Sequence, residues 1–280
     1  MASTKETRDL AGKRIAITGG ARGIGLATAR ELDRRGARIA IGDVDAEAAK
    51  AAAASISDDV IALHLDVTDS TSFEAFVADS RSALDGLDVL VNNAGVMPIG
   101  HFLDIPEAVV RRSMEINLMG PTIGMRAALP AMLAEGRGHI INVASSAGKT
   151  AVPGGLNYCA QKAGLIHLTE GARLEFGGRG ISFTCVMPAF TNTDLIAGTK
   201  GTRFIKNVEP EDVAKGIADA IATKSKDVFV PKSLRTIFVA QPIMGRRLRD
   251  RMYRALGAYE TFLDIDQEGR ADYNDRISHS

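Results

Sequence analysis

Ile15-Ala16-Ile17-Thr18-Gly19-Gly20-Ala21-Arg22-Gly23-Ile24-Gly25 is the stretch whose reading decides the fold. A short apolar run stops at clustered glycines, and helical spacing then takes over through Leu26, Ala27, Ala29 and Leu32. This reads as a buried strand, a tight turn and a helix. Gly19 permits the turn, Gly23 leaves bare backbone against which a pyrophosphate can lie, and Gly25 lets the helix pack closely on the strand. The helix N-terminus offers unpaired N–H groups and the positive end of its dipole to such a phosphate. The spacing is G-x-x-x-G-x-G rather than the commoner G-x-G-x-x-G. A purely structural bend could use the same glycines, so the residues beyond the turn decide between bend and binding site.

The alternation continues along the chain. Further strands are expected at 38–42, closing at Asp43 in Asp43-Val44-Asp45, and at 60–65, 89–91, 140–143, 181–187 and 228–230. Helices are expected at 46–55, at 73–84 with Thr68-Asp69-Ser70 as its N-cap, at 106–134 with a kink at Gly120-Pro121, and at 156–176. Strands alternating with helices mean an α/β fold with a parallel, doubly wound sheet, whose ligands sit at the carboxyl ends of the strands.

Composition narrows the function. Lys and Arg number 34 and Asp and Glu 34, so no charge excess points to nucleic acid. Residues 1–10 lack the apolar core of a secretory signal, and no apolar run is long enough to cross a bilayer. Cys159 and Cys185 form no metal or redox motif, and the five histidines are scattered, so no metal site is expected. A reduced, cytoplasmic protein is expected.

Tyr158 and Lys162 stand four apart on one expected helix and share a face. An ammonium near a phenol favours the phenolate, which makes the tyrosine a usable acid or base. Ser145 lies thirteen residues upstream, at the end of the 140–143 strand, where its hydroxyl can reach the same pocket.

At these residues the chain resembles the short-chain dehydrogenase/reductase family. The matching pieces are the glycine turn from Thr18 to Gly25, Asp66-Val67, Asn92-Asn93-Ala94-Gly95, Asn117, Asn142-Val143-Ala144-Ser145-Ser146, Tyr158-Cys159-Ala160-Gln161-Lys162 and Pro188-Ala189-Phe190-Thr191-Asn192-Thr193. They keep the family's order over about residues 10–235. The resemblance implies one Rossmann-type domain at 1–231, with a mostly parallel seven-stranded sheet between helices and a substrate loop near 189–207. It implies Tyr158 as general acid/base and Lys162 as the group that lowers its pKa and binds the nicotinamide ribose. Ser145 would hold the substrate oxygen, and Asn117 would belong to a proton relay. It also implies a dinucleotide site of Gly19, Arg22, Gly23, Ile24, Gly25, Asp43, Val44, Asp66, Val67, Asn93, Ala94, Gly95, Tyr158, Lys162, Pro188, Thr191 and Thr193. Ala189 departs from the family's usual Pro-Gly, and Thr191 from its usual Ile or Val.

The implied activity is hydride transfer between NAD(H) and a secondary alcohol or ketone. The rivals are an NADPH-dependent ketoreductase of biosynthesis and a non-catalytic dinucleotide-binding regulator. Asp43, eighteen residues beyond Gly25, would repel the extra phosphate of NADP, whereas Arg22 would attract it; the carboxylate should win, which gives NAD. Met97, Phe102, Phe190 and Phe204 are candidates for the substrate cleft. The family's paired long helices imply a homodimer or homotetramer, and Ile116, Leu118, Met125, Leu129, Met132, Leu165, Ile166, Leu168 and Leu174 suit a second buried face. The C-terminal extension, 232–280, has an apolar stretch from Leu234 to Met244 that includes Ile243. A basic amphipathic stretch comes next, from Arg246 through Met252 and Tyr253 to Leu256. It reads as a lid over the cleft or as a helix on an anionic membrane, and either favours a lipophilic substrate. The end from Asp264 to Ser280 is expected to fray or to pack on a neighbouring subunit.

Overall fold

Alternation along the strands sorts the apolar side chains onto two faces. In β1 (Arg14–Thr18), Ile15 and Ile17 enter one core and Ala16 the other. The structure, a computed structural model, describes residues 9–199, 206–241, 244–255, 257 and 261–279. Phe204, Ile243, Leu256 and part of the 189–207 loop lie outside the described residues, as do the side chains of Arg246, Met252 and Tyr253.

From β1 the chain continues through α1 (Gly23–Arg34), β2 (Arg38–Asp43), α2 (Ala46–Ala54), β3 (Ile61–His64), α3 (Ser70–Leu84) and β4 (Val89–Asn92). Next come α4 (Glu107–Met114), α5 (Gly120–Glu135), β5 (Gly138–Val143), α6 (Leu156–Phe176) and β6 (Ile181–Pro188). The chain then forms α7 (Pro210–Thr223), β7 (Asp227–Val230), α8 (Leu234–Ala240), α9 (Arg246–Ala255) and α10 (Ala271–His279). The seven strands are all parallel, in the order β3-β2-β1-β4-β5-β6-β7. One face packs against α1, α2 and α7, and the other against α3, α5 and α6. The order reverses between β1 and β4, which opens a crevice at their carboxyl ends.

Four features differ from the sequence expectation. The sequence predicts no helix between 188 and 228, yet α7 lies there. Its capping box of Glu209 and Asp212, with Pro210 opening the first turn, precedes Val213, Ile217 and Ile221 at helical spacing. The break in the 106–134 helix falls before Gly120-Pro121. The Gly120 N–H bonds Glu115 C=O, five residues back, and residues 115–119 form a π turn. Pro121 has no N–H to give the Asn117 carbonyl, its α-helical partner, which favours the change of register there. The end of the chain packs on its own chain rather than fraying: Arg270 is fully buried, and Tyr273 and Ile277 are buried too. Most side chains offered for a second helix face also turn inward. Ile116, Met125, Leu129, Met132, Leu165 and Ile166 are buried within this chain, whereas Leu174 is 87% exposed.

Arg35, just beyond α1, ties that helix to α7. Its guanidinium donates to Glu31 and to Asp219, each at 2.8 Å. Burial alone would raise the Glu31 carboxyl, but hydrogen bonds from Arg34 and Arg35 outweigh it and hold the pKa below the ordinary value. Arg35→Met should therefore cost about 1–2 kcal/mol at pH 7. The Glu31 contribution is present above the unfolded carboxylate pKa and is lost as pH falls through the lower folded value. Denaturant midpoints of the two proteins should thus converge in acid.

Candidate active site

Thr18 ends β1 where β4 begins to diverge from it. Its hydroxyl oxygen accepts from the Asn93 and Ala94 backbone N–H groups, both at 3.0 Å. The Asn93 amide returns donors to the Thr18 and Gly19 carbonyls at 3.0 and 3.1 Å. The glycine turn is thereby tied to the loop after β4. Gly25 shows how close that packing is, since an added Cβ would lie 2.0 Å from the Gly19 oxygen. Gly23, with φ +54°, keeps its bare Cα toward Thr193.

Asp43 stands at the rim of this groove. Its carboxylate accepts from the Ala21 N–H at 3.1 Å and the Asp45 N–H at 3.2 Å. Arg22 reaches Asp45 instead, at 2.7 Å. Further along, Asp66 accepts from the Thr68 N–H and hydroxyl, with Arg112 beside it. Burial would raise the Asp66 carboxyl, but Thr68 and Arg112 together hold it below the ordinary value.

The acid/base cluster is carried by α6 and the end of β5. Burial pushes the Tyr158 phenol well above its ordinary pKa, and the Ser145 hydroxyl pulls the other way through its hydrogen bond. Ser145 is itself oriented by the Ala147 N–H, 3.1 Å from its oxygen. Lys162 is buried, which lowers its pKa to about 8, and its Nζ donates to the Val143 carbonyl at 2.9 Å. That nitrogen is 5.8 Å from the centre of the Tyr158 ring. In this geometry burial raises the phenol, in contrast to the lowering by Lys162 that the sequence leads one to expect. Asn117, on the π turn, is held by the Val96 backbone from both sides and by Gln161 at 2.7 Å; Gln161 in turn donates to Ser113.

One cavity of about 820 Å³ joins the groove to this cluster. Every expected site residue lines it except Gly25, which packs behind the turn, and Asn117, which is fully buried behind Gly95. Its far end is walled by Met97, Val152, Phe190, Leu195 and Phe262, the Phe190 and Phe262 rings being 5.4 Å apart. Phe102 is 53% exposed and is not part of the wall. The tail lines part of the cavity, through Ile237 and Phe238 of α8 and through Thr261, Phe262, Tyr273, Arg276 and Ile277. The basic helix α9 supplies no described lining residue. Sequence reasoning missed Thr18 as a clamp, Asp45 as the partner of Arg22, Arg112, Gln161, Phe262 and Tyr273. Gln161 alone carried a signal, being a large amide on the buried side of the Tyr158–Lys162 helix.

Comparison with known proteins agrees with this geometry. The short chain dehydrogenase family model matches residues 13–203. A 2,5-dichloro-2,5-cyclohexadiene-1,4-diol dehydrogenase of Sphingobium indicum is 36% identical over 219 residues, 74% of this chain and 88% of its own. A 3-alpha-(or 20-beta)-hydroxysteroid dehydrogenase of Mycobacterium bovis is 37% identical, over 66% of this chain and 72% of its own. The crystal structure of a short chain dehydrogenase/reductase from Burkholderia phymatum in complex with NAD shares the fold. Its TM-score is 0.75 at 24% identity, and the match covers 82% of this chain and 92% of that one.

Gly95 offers a test of the cluster. A Cβ there would lie 3.0 Å from the Asn117 Oδ1 and 3.5 Å from the Lys162 Nζ. Gly95→Ala should press on both groups while leaving the sheet intact. Turnover should fall about tenfold, a barrier change of about 1.4 kcal/mol, with little change in the thermal midpoint.

Proposed function

The chain belongs to the short-chain dehydrogenase family, and from that premise we propose that it interconverts a bulky, apolar secondary alcohol and its ketone with NAD(H). Membership makes it an oxidoreductase acting on alcohols, with a nicotinamide dinucleotide as cofactor. The residues present fit that cofactor. The bare Cα of Gly23 opens the turn to a pyrophosphate, and Asp43 faces the groove as an acceptor for ribose hydroxyls. When bound, the cofactor supplies or accepts the hydride.

The observation that carries the reading is the buried Tyr158, bonded to Ser145 and beside Lys162, in a cavity shared by the glycine turn and an apolar wall. In the reductive direction Tyr158, a neutral phenol, gives its proton to the carbonyl oxygen while Ser145 holds that oxygen in place. In the oxidative direction Tyr158 must first lose that proton, so the raised pKa places oxidation in the alkaline range. Lys162 and Asn117 fix the proton path from behind, and the apolar wall excludes water from the reacting carbon.

NAD(H) is favoured by two contacts. The Asp43 carboxylate stays at the rim, where a 2′-phosphate would meet like charge. Arg22, which could answer such a phosphate, is engaged by Asp45. A bulky, apolar substrate is favoured by the Met97–Phe190–Phe262 wall, and the diol and hydroxysteroid in the relatives' names are both cyclic alcohols. Self-association as a homodimer or homotetramer is supported by Met114, Met119 and Leu174, which stay exposed on long helical segments.

Tyr158→Phe should fold and bind NAD(H) but lose about 10²–10⁴-fold in kcat. Near-normal turnover would refute the acid/base assignment, whereas cofactor binding by the wild type with no turnover of any alcohol or ketone would favour a regulator. Lys162→Met should also weaken NAD(H) binding, measured by fluorescence titration. The kcat/KM for NADH should exceed that for NADPH, and the reverse ranking would favour the ketoreductase. Oxidation of a cyclic alcohol should speed up as pH rises from 7 toward 10. A monomeric mass by light scattering at micromolar concentration would contradict self-association.

A further inference from the structure

Tyr273 belongs to α10, seventy residues beyond the segment that the family model matches. It is 4% exposed, yet it lines the same cavity as Tyr158. Its phenol oxygen accepts the Met97 backbone N–H at 2.7 Å. A phenol carries one hydrogen of its own, and among the described residues that hydrogen has no acceptor.

The ring is fixed from several directions. The Arg270 guanidinium lies 4.5 Å from its centre and that of Arg276 5.6 Å. Arg270 donates to the carbonyls of Leu195 at 2.9 Å, of Ala197 at 2.8 Å, and of Met97. It thereby bolts α10 to the loop after β6 and the loop after β4. Met97, Phe262 and Ile277, which share the wall with Tyr273, have no side-chain donor comparable to its hydroxyl. Burial raises the Tyr273 pKa, so the hydroxyl keeps its hydrogen at neutral pH. Met97, whose N–H the Tyr273 oxygen holds, packs in one apolar cluster with Tyr158, Val152 and Phe262, which places Tyr273 toward the reacting end of the cavity.

We propose that Tyr273 is a specificity-determining residue: its hydroxyl donates a hydrogen bond to a second oxygen of the substrate, away from the reacting carbon. The substrate class is then a cyclic lipophile with two oxygens, a diol, hydroxyketone or diketone, rather than a simple alcohol. This rests on the reading of the site as one for a bulky, apolar alcohol or ketone. Losing the donor should penalise only the doubly oxygenated member of a matched pair, because a site built to bond an oxygen discriminates by that bond.

The test compares 5α-androstan-3-one with 5α-androstane-3,17-dione, and 2-decalone with decalin-2,6-dione, in full-length protein with NADH. The wild type should favour the dione in each accepted pair by about tenfold in kcat/KM, mainly through KM. Tyr273→Phe should remove that preference and leave the monoketone within about twofold. Tyr273→His, which keeps a ring donor, should retain part of the preference, so a folding defect in one variant does not decide the result. A variant that slows both members alike would reveal a purely structural role through Met97 and overturn the proposal. So would a wild type that does not distinguish them. If none of the four ketones is reduced, the apolar-substrate reading falls first, and the proposal with it.

Discussion

The hydroxyl of Thr18, accepting two backbone N–H groups from the loop after β4, is the contact on which the site depends. At the point where strand order reverses, two loops part and their backbone groups lose their ladder partners. Thr18 and Asn93 make good that loss reciprocally, and in doing so set the separation of the loops. Gly95 comes next in the same loop and has Asn117 and Lys162 behind it. The cofactor groove and the proton-handling groups thus share one origin at the centre of the sheet. A second tie lies beside it, at the same carboxyl end of the strands: Asn92 bonds Asn142 across β4 and β5, and Asn142 donates to Thr169 on α6. Helix α6 is in this way referenced to the strands by side-chain hydrogen bonds as well as by apolar packing.

Burial governs the electrostatics of the cluster. It raises Tyr158 and lowers Lys162, so both groups are moved toward their neutral forms. The Ser145 hydroxyl counters this for the phenol, and the Val143 carbonyl gives the Lys162 Nζ an acceptor. The same low-dielectric setting that makes ionisation costly strengthens every hydrogen bond directed at a reacting oxygen.

What could be read from the sequence was what is local. The run from Ile15 to Ile17 with its glycine turn, and the Tyr158–Lys162 spacing, declare themselves within a few residues. Helix α7 carried an equally local signal in Glu209-Pro210-Glu211-Asp212, and it was missed because the segment before it reads as a loop. The π turn at 115–119 depends on Pro121 withholding a donor from Asn117, an effect four residues away that apolar periodicity does not register. The pairing of Arg22 with Asp45, 23 residues on, and of Asn117 with Gln161, 44 residues on, comes from tertiary approach alone. The tail is the extreme case. Arg270 reads as one more charged residue in a polar end, yet it is fully buried, with both terminal nitrogens bonded to carbonyls.

That anchoring has a consequence for biogenesis. Arg270 and Tyr273 reach the Met97 backbone across 173 and 176 residues of chain. On the ribosome the sheet and the dinucleotide groove can assemble while residues 261–277 are still unmade. The nascent protein would therefore pass through a stage with a formed cofactor site and an open, apolar substrate wall. Met97 and Phe190 would face chaperones or other chains until residues 261–277 arrive to cover them.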